Sequence, residues 1–111
     1  METILAIKPG EKAKSISVYE KIIQSLVKLN ITKNDIIIAF GGGVIGDLTA
    51  FVASTYLRGV KYIQIPTTLV SQINSSIGGK CGIDIINKNS IGAFYHPLTI
   101  CLLYTSDAAD D

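Results

Sequence analysis

A chain of 111 residues is the size of one ordinary domain and has no room for a second complete one. Apolar residues make up 48% of it and charged residues 17%, a balance that argues against disorder and favours segments buried on both faces, as in a parallel sheet covered by helices. Ten Lys and Arg against nine Asp and Glu leave a net charge of +1, which gives no electrostatic footprint for nucleic acid or an anionic membrane and points to a small ligand instead.

Residues 3 to 7 (TILAI) are predicted as a short strand ended by the Pro9-Gly10 turn. With Glu2 and Lys8 around it, this run is neither a secretory segment nor a membrane span. Ile16, Tyr19, Ile23, Leu26 and Leu29 recur at helical spacing and predict an amphipathic helix, with Ser17 and Glu20 as a capping box and Asn30 as its left-handed end. Residues 36 to 40 (IIIAF) have the unbroken β-branched pattern of a central parallel strand. A second helix is predicted from Val44 to Leu57, closed by Gly59, and a further strand over residues 61 to 65 (KYIQI), broken by Pro66. Strand, turn, helix and strand within about thirty residues make a βαβ unit, so the class is α/β. Leu69, Val70, Ile73 and Ile77 predict a third helix with one apolar face, ending at Gly78-Gly79, and Lys80 follows in a loop. Residues 83 to 92 show no clean period, and GAFYHP leads into a last apolar stretch. Cys81 and Cys101 suggest neither a disulfide framework nor a metal knuckle and suit a reducing cytosol.

The motif Gly41-Gly42-Gly43-Val44-Ile45-Gly46-Asp47 lies between the apolar strand and the second helix and contains G-x-G-x-x-G. A turn that brings backbone N–H groups against a pyrophosphate at the positive end of a helix tolerates no side chains, which is what these glycines provide. The pattern departs from the usual dinucleotide fingerprint, which places an acid about twenty positions on; no acid occurs between Asp47 and Asp84. Asp47 is therefore expected to face ribose hydroxyls or a carboxamide, or else to serve only as a helix-dipole carboxylate. Thr67 and Thr68 follow the second strand, where they are either hydroxyl donors to a cofactor or an N-cap for the next helix. Lys80, Lys88-Asn89 and Arg58 place three basic groups around two glycine turns in a weakly charged chain and raise an anionic substrate as their target. The Gly79-Lys80-Cys81 sequence is not a Walker A loop. His96 is the single histidine and reads as a loop residue before Pro97, since a catalytic zinc takes about three protein ligands.

Taken in order, GGGVIGDL, STYLRG, IQIPTTL, SSIGGK, KN and IGAFYHP resemble the 3-dehydroquinate synthase family over roughly residues 2 to 100. That family is similar to the other sugar-phosphate cyclases and, more remotely, to the glycerol and iron-dependent alcohol dehydrogenases. The resemblance implies a Rossmann-like parallel sheet with flanking helices, the incomplete N-terminal domain of a two-domain enzyme. It implies that Glu11, Lys14, Gly42, Gly43, Val44, Asp47, Thr67, Thr68, Asn74 and Lys88 line an NAD site. Arg58, Lys80 and Asn89 are implied to meet substrate, with Arg58 reaching into a partner subunit's site. The activity implied is the NAD-dependent, phosphate-eliminating conversion of 3-deoxy-D-arabino-heptulosonate 7-phosphate to 3-dehydroquinate in a cytoplasmic homodimer. Its divalent metal, zinc or cobalt, would be held by a Glu and two His that have no counterpart here.

Departures from the family pattern are Asn74 in place of Asp, His96 in place of Gln, and a loop from Ile83 to Lys88 one residue shorter. Residues 1–100 are expected to form a partial NAD-binding domain that lacks opening strands. The tail 101–111, CLLYTSDAADD, is expected to lie outside the family fold as the mark of a truncated or artificially joined reading frame. The alternatives are another sugar-phosphate cyclase of the same superfamily and a nucleotide-binding module without catalysis.

Overall fold

The structure, a computed structural model, describes residues 3–8, 10–77, 79–85 and 91–102, without the side chains of 74–77. Its centre is built where the sequence is most apolar. Strand β1 (Ile36–Gly41) pairs in parallel with β2 (Lys61–Pro66), in a register running from Ile36 opposite Lys61 to Gly41 opposite Pro66. β2 pairs in parallel with the short β5 (Thr99–Ile100), so the sheet order is β1-β2-β5. Pro66 ends β2 without opening the sheet, because the next amide, that of Thr67, donates to Gly41 O at 2.9 Å. The predicted α/β class, a parallel sheet with flanking helices, is the architecture observed.

Helix α2 (Gly43–Thr55) connects the two central strands and is apolar on most of its surface, burying Leu48, Ala50, Phe51, Val52 and Ala53. It can be so because it is covered on several sides. Helix α1 (Ile16–Lys28) packs beside it, with the Tyr19 and Phe51 rings 5.3 Å apart, and Tyr56 Oη donates to Ile31 O at 2.8 Å. A second, antiparallel sheet of β3 (Lys80–Ile83) and β4 (Ile91–Phe94) lies against α2 and places Cys81 and Ile83 in the core. Helix α3 (Leu69–Ile77) follows β2.

Four expectations are corrected. Residues 3–8 form no strand, because no described strand lies beside them to complete a ladder. The N-cap of α1 is Ser15, whose Oγ accepts from Val18 N at 3.3 Å, and not Ser17; Asn30 does adopt the left-handed conformation (φ 57°). α2 stops at Thr55, and a short 3-10 turn, Tyr56–Arg58, carries the chain to Gly59 with Leu57 and Arg58 both at positive φ. Lys80 opens β3 instead of lying in a loop; Gly82 stands opposite Gly92 in that hairpin, and glycines hide the alternation by which strands are read.

Burial on both faces of β1 is also not observed. The face bearing Ile37 and Ala39 is turned to the core, whereas Ile36, Ile38 and Phe40 are 49%, 59% and 65% exposed. α3 departs in the same way: Leu69, Val70 and Ile73 are exposed while Ser71 is buried.

Candidate nucleotide site at the carboxyl edge of the sheet

β1 delivers Gly41 to the carboxyl edge, where the chain turns through Gly42 into α2. Gly42 is the N-cap residue and offers no side chain, and the first intrahelical bond runs from Gly46 N to Gly42 O at 3.0 Å. The amides of Gly43, Val44 and Ile45 therefore precede the helical ladder, at the positive end of the helix. A Cβ added to Gly43 would meet nothing within 4 Å, so the approach to these amides is open. One on Gly42 would touch only the Thr68 methyl, at 3.7 Å. Gly46 serves packing instead, since a Cβ there would collide with the Gln64 amide of β2. Val44 is half-buried against the core. The glycine turn thus meets the steric demands of an anion cradle.

Beside the turn, Lys14 joins two carboxylates. Its side chain, 4% exposed, reaches Asp47 Oδ2 at 3.0 Å and Glu11 Oε2 at 3.6 Å. Asp47 stands one turn inside α2 and not in its first turn, so Lys14, more than the helix dipole, is its electrostatic partner. The loop carrying Lys14 is held in place by Asp84, whose amide donates to Lys14 O at 2.6 Å. Glu11, Lys12, Lys14, Ser15 and Asp84 line a cavity of about 240 Å³. A larger one, about 640 Å³, lies between residues 4–8 and α1; the glycine turn itself belongs to neither and is an open surface.

Thr67 and Thr68 reach the same edge but differ. Thr68 caps α3: its Oγ1 accepts from Ser71 N at 3.1 Å and lies 2.7 Å from Ser71 Oγ. The Thr67 hydroxyl is exposed and has no partner among the described residues.

Arg58 and Lys80 are not brought to the turn. Arg58 lies beyond the far end of α2, a helix of 13 residues and so about 20 Å long, at the opposite edge of the sheet. Lys80 is exposed at the start of β3, and this end is tied toward β2 by Tyr95, whose amide donates to Gly79 O at 2.6 Å and whose hydroxyl donates to Val60 O at 2.9 Å. Neither side chain has a hydrogen bond or ion pair among the described residues. Asn74 lies on α3 with its side chain undescribed, and Lys88 and Asn89 lie outside the described residues. His96 sits in the loop after β4, over Gly79. No group of three or more His, Cys, Asp or Glu able to hold a metal ion occurs among the described residues, so the fit of a divalent metal to this chain's own side chains fails there.

Two buried acids away from the turn are suppressed. Burial, reinforced by Cys81, Tyr95 and Asp47, pushes the Tyr62 phenol up to about 12, and burial raises the Cys81 thiol. Reading the sequence missed the Lys14–Asp47 pair, which nothing local signals, and Ser71, which the three-residue spacing from Thr68 could have revealed as a capping partner.

A three-stranded parallel sheet with helices and a glycine turn at the carboxyl end of β1 defines a Rossmann-like α/β domain. The chain belongs to the 3-dehydroquinate synthase N-terminal family, whose model matches residues 4–106. It is 53% identical over 95 residues to a 3-dehydroquinate synthase of Clostridium kluyveri, covering 85% of this chain and 26% of that protein. It is 56% identical over 97 residues to one of Dictyoglomus turgidum, covering 86% and 27%. The chain therefore spans about a quarter of the length of these curated relatives. Among solved structures it superposes on 2-deoxy-scyllo-inosose synthase complexed with carbaglucose-6-phosphate, NAD+ and Co2+, with a TM-score of 0.85 at 27% identity over 90% of this chain and 28% of that one. It also superposes on 2-epi-5-epi-valiolone synthase of Streptomyces hygroscopicus with NAD+ and Zn2+ bound, with a TM-score of 0.81 at 28% identity over 86% and 27%. No described helix is long and apolar enough to cross a membrane.

Proposed function

We propose that this chain supplies the NAD-binding part of a 3-dehydroquinate synthase, which converts 3-deoxy-D-arabino-heptulosonate 7-phosphate to 3-dehydroquinate and phosphate. The observation that carries this reading is the glycine turn, open above Gly43 and flanked by the Glu11–Lys14–Asp47 cluster, in a chain of this family. NAD, when bound, would supply reversible hydride removal from a substrate hydroxyl, which acidifies the neighbouring C–H before phosphate leaves. In this reading the amides after Gly42 hold the pyrophosphate, Asp47 takes a hydroxyl or carboxamide donor, and Lys14, 3.0 Å from that carboxylate, orients it. Thr67 donates a hydroxyl at the rim, and Val44 supports the turn from below. Thr68, Asn74 and Lys88 complete the cofactor site.

Lys80 and Asn89 are assigned to the anionic substrate. Arg58, set at the far edge of the sheet, is assigned to a neighbouring subunit's site, and the whole protein is read as a homodimer acting in the cytoplasm. A divalent metal would be held by residues outside this chain's described side chains. Identities of 53% and 56% to 3-dehydroquinate synthases, against 27% and 28% to the two other cyclases, favour the heptulosonate phosphate over other sugar phosphates.

The test is phosphate release by a full-length synthase carrying this segment, given NAD, a divalent metal and either the heptulosonate phosphate or other sugar phosphates. Release with the heptulosonate alone supports the reading. Release only with another sugar phosphate assigns a different cyclase, and NAD binding with no turnover of any of them assigns a non-catalytic module. The 111 residues alone are expected to bind no stoichiometric zinc and to release no phosphate above the blank, since turnover needs a site closed between two domains.

A further inference from the structure

Ser71 is a polar side chain, 4% exposed, on a helix whose neighbouring apolar residues face outward. Four hydrogen bonds join it to Thr68. Ser71 Oγ accepts from Thr68 N at 3.2 Å and from Thr68 Oγ1 at 2.7 Å, and it donates to Thr68 O at 2.9 Å; Ser71 N donates to Thr68 Oγ1 at 3.1 Å. This is a reciprocal capping box with serine in the third helical position. It uses the single hydroxyl proton of Thr68 and leaves that oxygen only accepting capacity toward a ligand. It also fixes the Thr68 methyl, which lies 3.7 Å from the position a Cβ on Gly42 would take. Thr67, one residue earlier, has a hydroxyl with no partner among the described residues at the same edge.

We propose that Ser71 is a positioning residue for the nucleotide site, dividing the two threonines into a free donor, Thr67, and an acceptor-only rim residue, Thr68. The inference rests on the NAD reading of the glycine turn. A phosphate oxygen, which only accepts, can take a proton from Thr67 and not from Thr68; a ribose hydroxyl or amide N–H can donate to Thr68. Loss of the Ser71 hydroxyl would release the Thr68 proton and let its side chain turn, blurring that division and loosening the wall beside Gly42.

The experiment is calorimetric titration of NAD into a full-length synthase carrying Ser71→Ala, Ser71→Thr, Thr68→Val, and Thr68→Val with Ser71→Ala, with thermal melts alongside. Ser71→Ala should weaken NAD binding by roughly three- to tenfold, the effect of about one hydrogen bond, and Ser71→Thr should restore it to within roughly twofold. Because Ser71 acts through Thr68, Ser71→Ala should cost nothing further in the Thr68→Val background. A lowered melting temperature with unchanged NAD affinity in Ser71→Ala, or losses that add in the double variant, overturns the positioning role. Absence of NAD binding by the unsubstituted protein overturns the site reading itself, and the inference with it.

Discussion

Lys14 Nζ lies 3.0 Å from Asp47 Oδ2, joining residues 33 apart in sequence across the entrance to α2. The ammonium is buried and the carboxylate is not, with side-chain exposures of 4% and 37%, so the two partners are not equivalent. Asp47→Asn leaves a buried cation with Glu11, at 3.6 Å, as its one remaining ion-pair partner among the described residues. It is expected to cost about 1–2 kcal/mol, below the value for a fully buried pair because Asp47 is partly solvated. Lys14→Met keeps the apolar stem and removes the charge, so it should cost less. Denaturant titrations of both variants check the order; a larger loss in Lys14→Met would show that packing, not charge, dominates there.

Gly43→Val puts a branched side chain where a Cβ now meets nothing within 4 Å, directly over the free amides of α2. NAD binding by a full-length synthase should be abolished while the melting temperature changes little, since no protein atom is displaced. Unchanged NAD affinity, measured by calorimetry, would remove the anion role of the turn.

Lys80→Ala and Arg58→Ala remove cations that no described residue pairs. Both variants should retain NAD affinity within roughly twofold and lose turnover by at least about tenfold, because the contact proposed for them is to substrate and would strengthen as charge moves. Equal losses in cofactor binding and turnover would place them at the cofactor instead. For Arg58, mixed dimers with an inactive partner provide a further check, since a residue acting across subunits regains activity by complementation.

Burial raises the Tyr62 phenol from 10.0 to about 12, so between those values the unfolded chain releases a proton that the folded chain keeps. Stability from this group is intact below pH 10 and is lost as pH rises toward 12, by roughly 2–3 kcal/mol in all. The raised Cys81 thiol acts in the same direction from its ordinary value of 9.0 upward. Tyr62→Phe should flatten the alkaline fall in stability between pH 10 and 12. An identical slope in the variant would show that other groups govern it.

The parts of this protein legible in its sequence are those whose cause is local. The isoleucine run of β1 and the glycine turn announce themselves by period and composition, as does the helix after them, because backbone propensity and hydrophobic spacing act over a few residues. The left-handed Asn30 belongs with them, and so, more weakly, does the cap of α3, three residues from end to end. What only the tertiary structure decided are the relationships between distant segments. Lys14 meets Asp47, and Asp84 anchors Lys14, because the loop before α1 folds over the start of α2. Arg58 is carried away from the turn by the length of α2, and the hairpin of β3 and β4 forms around a glycine pair that shows no alternation. The outer face of β1 reads as buried in sequence and stands open in the described fold, since period reports that a strand can be covered but not what covers it.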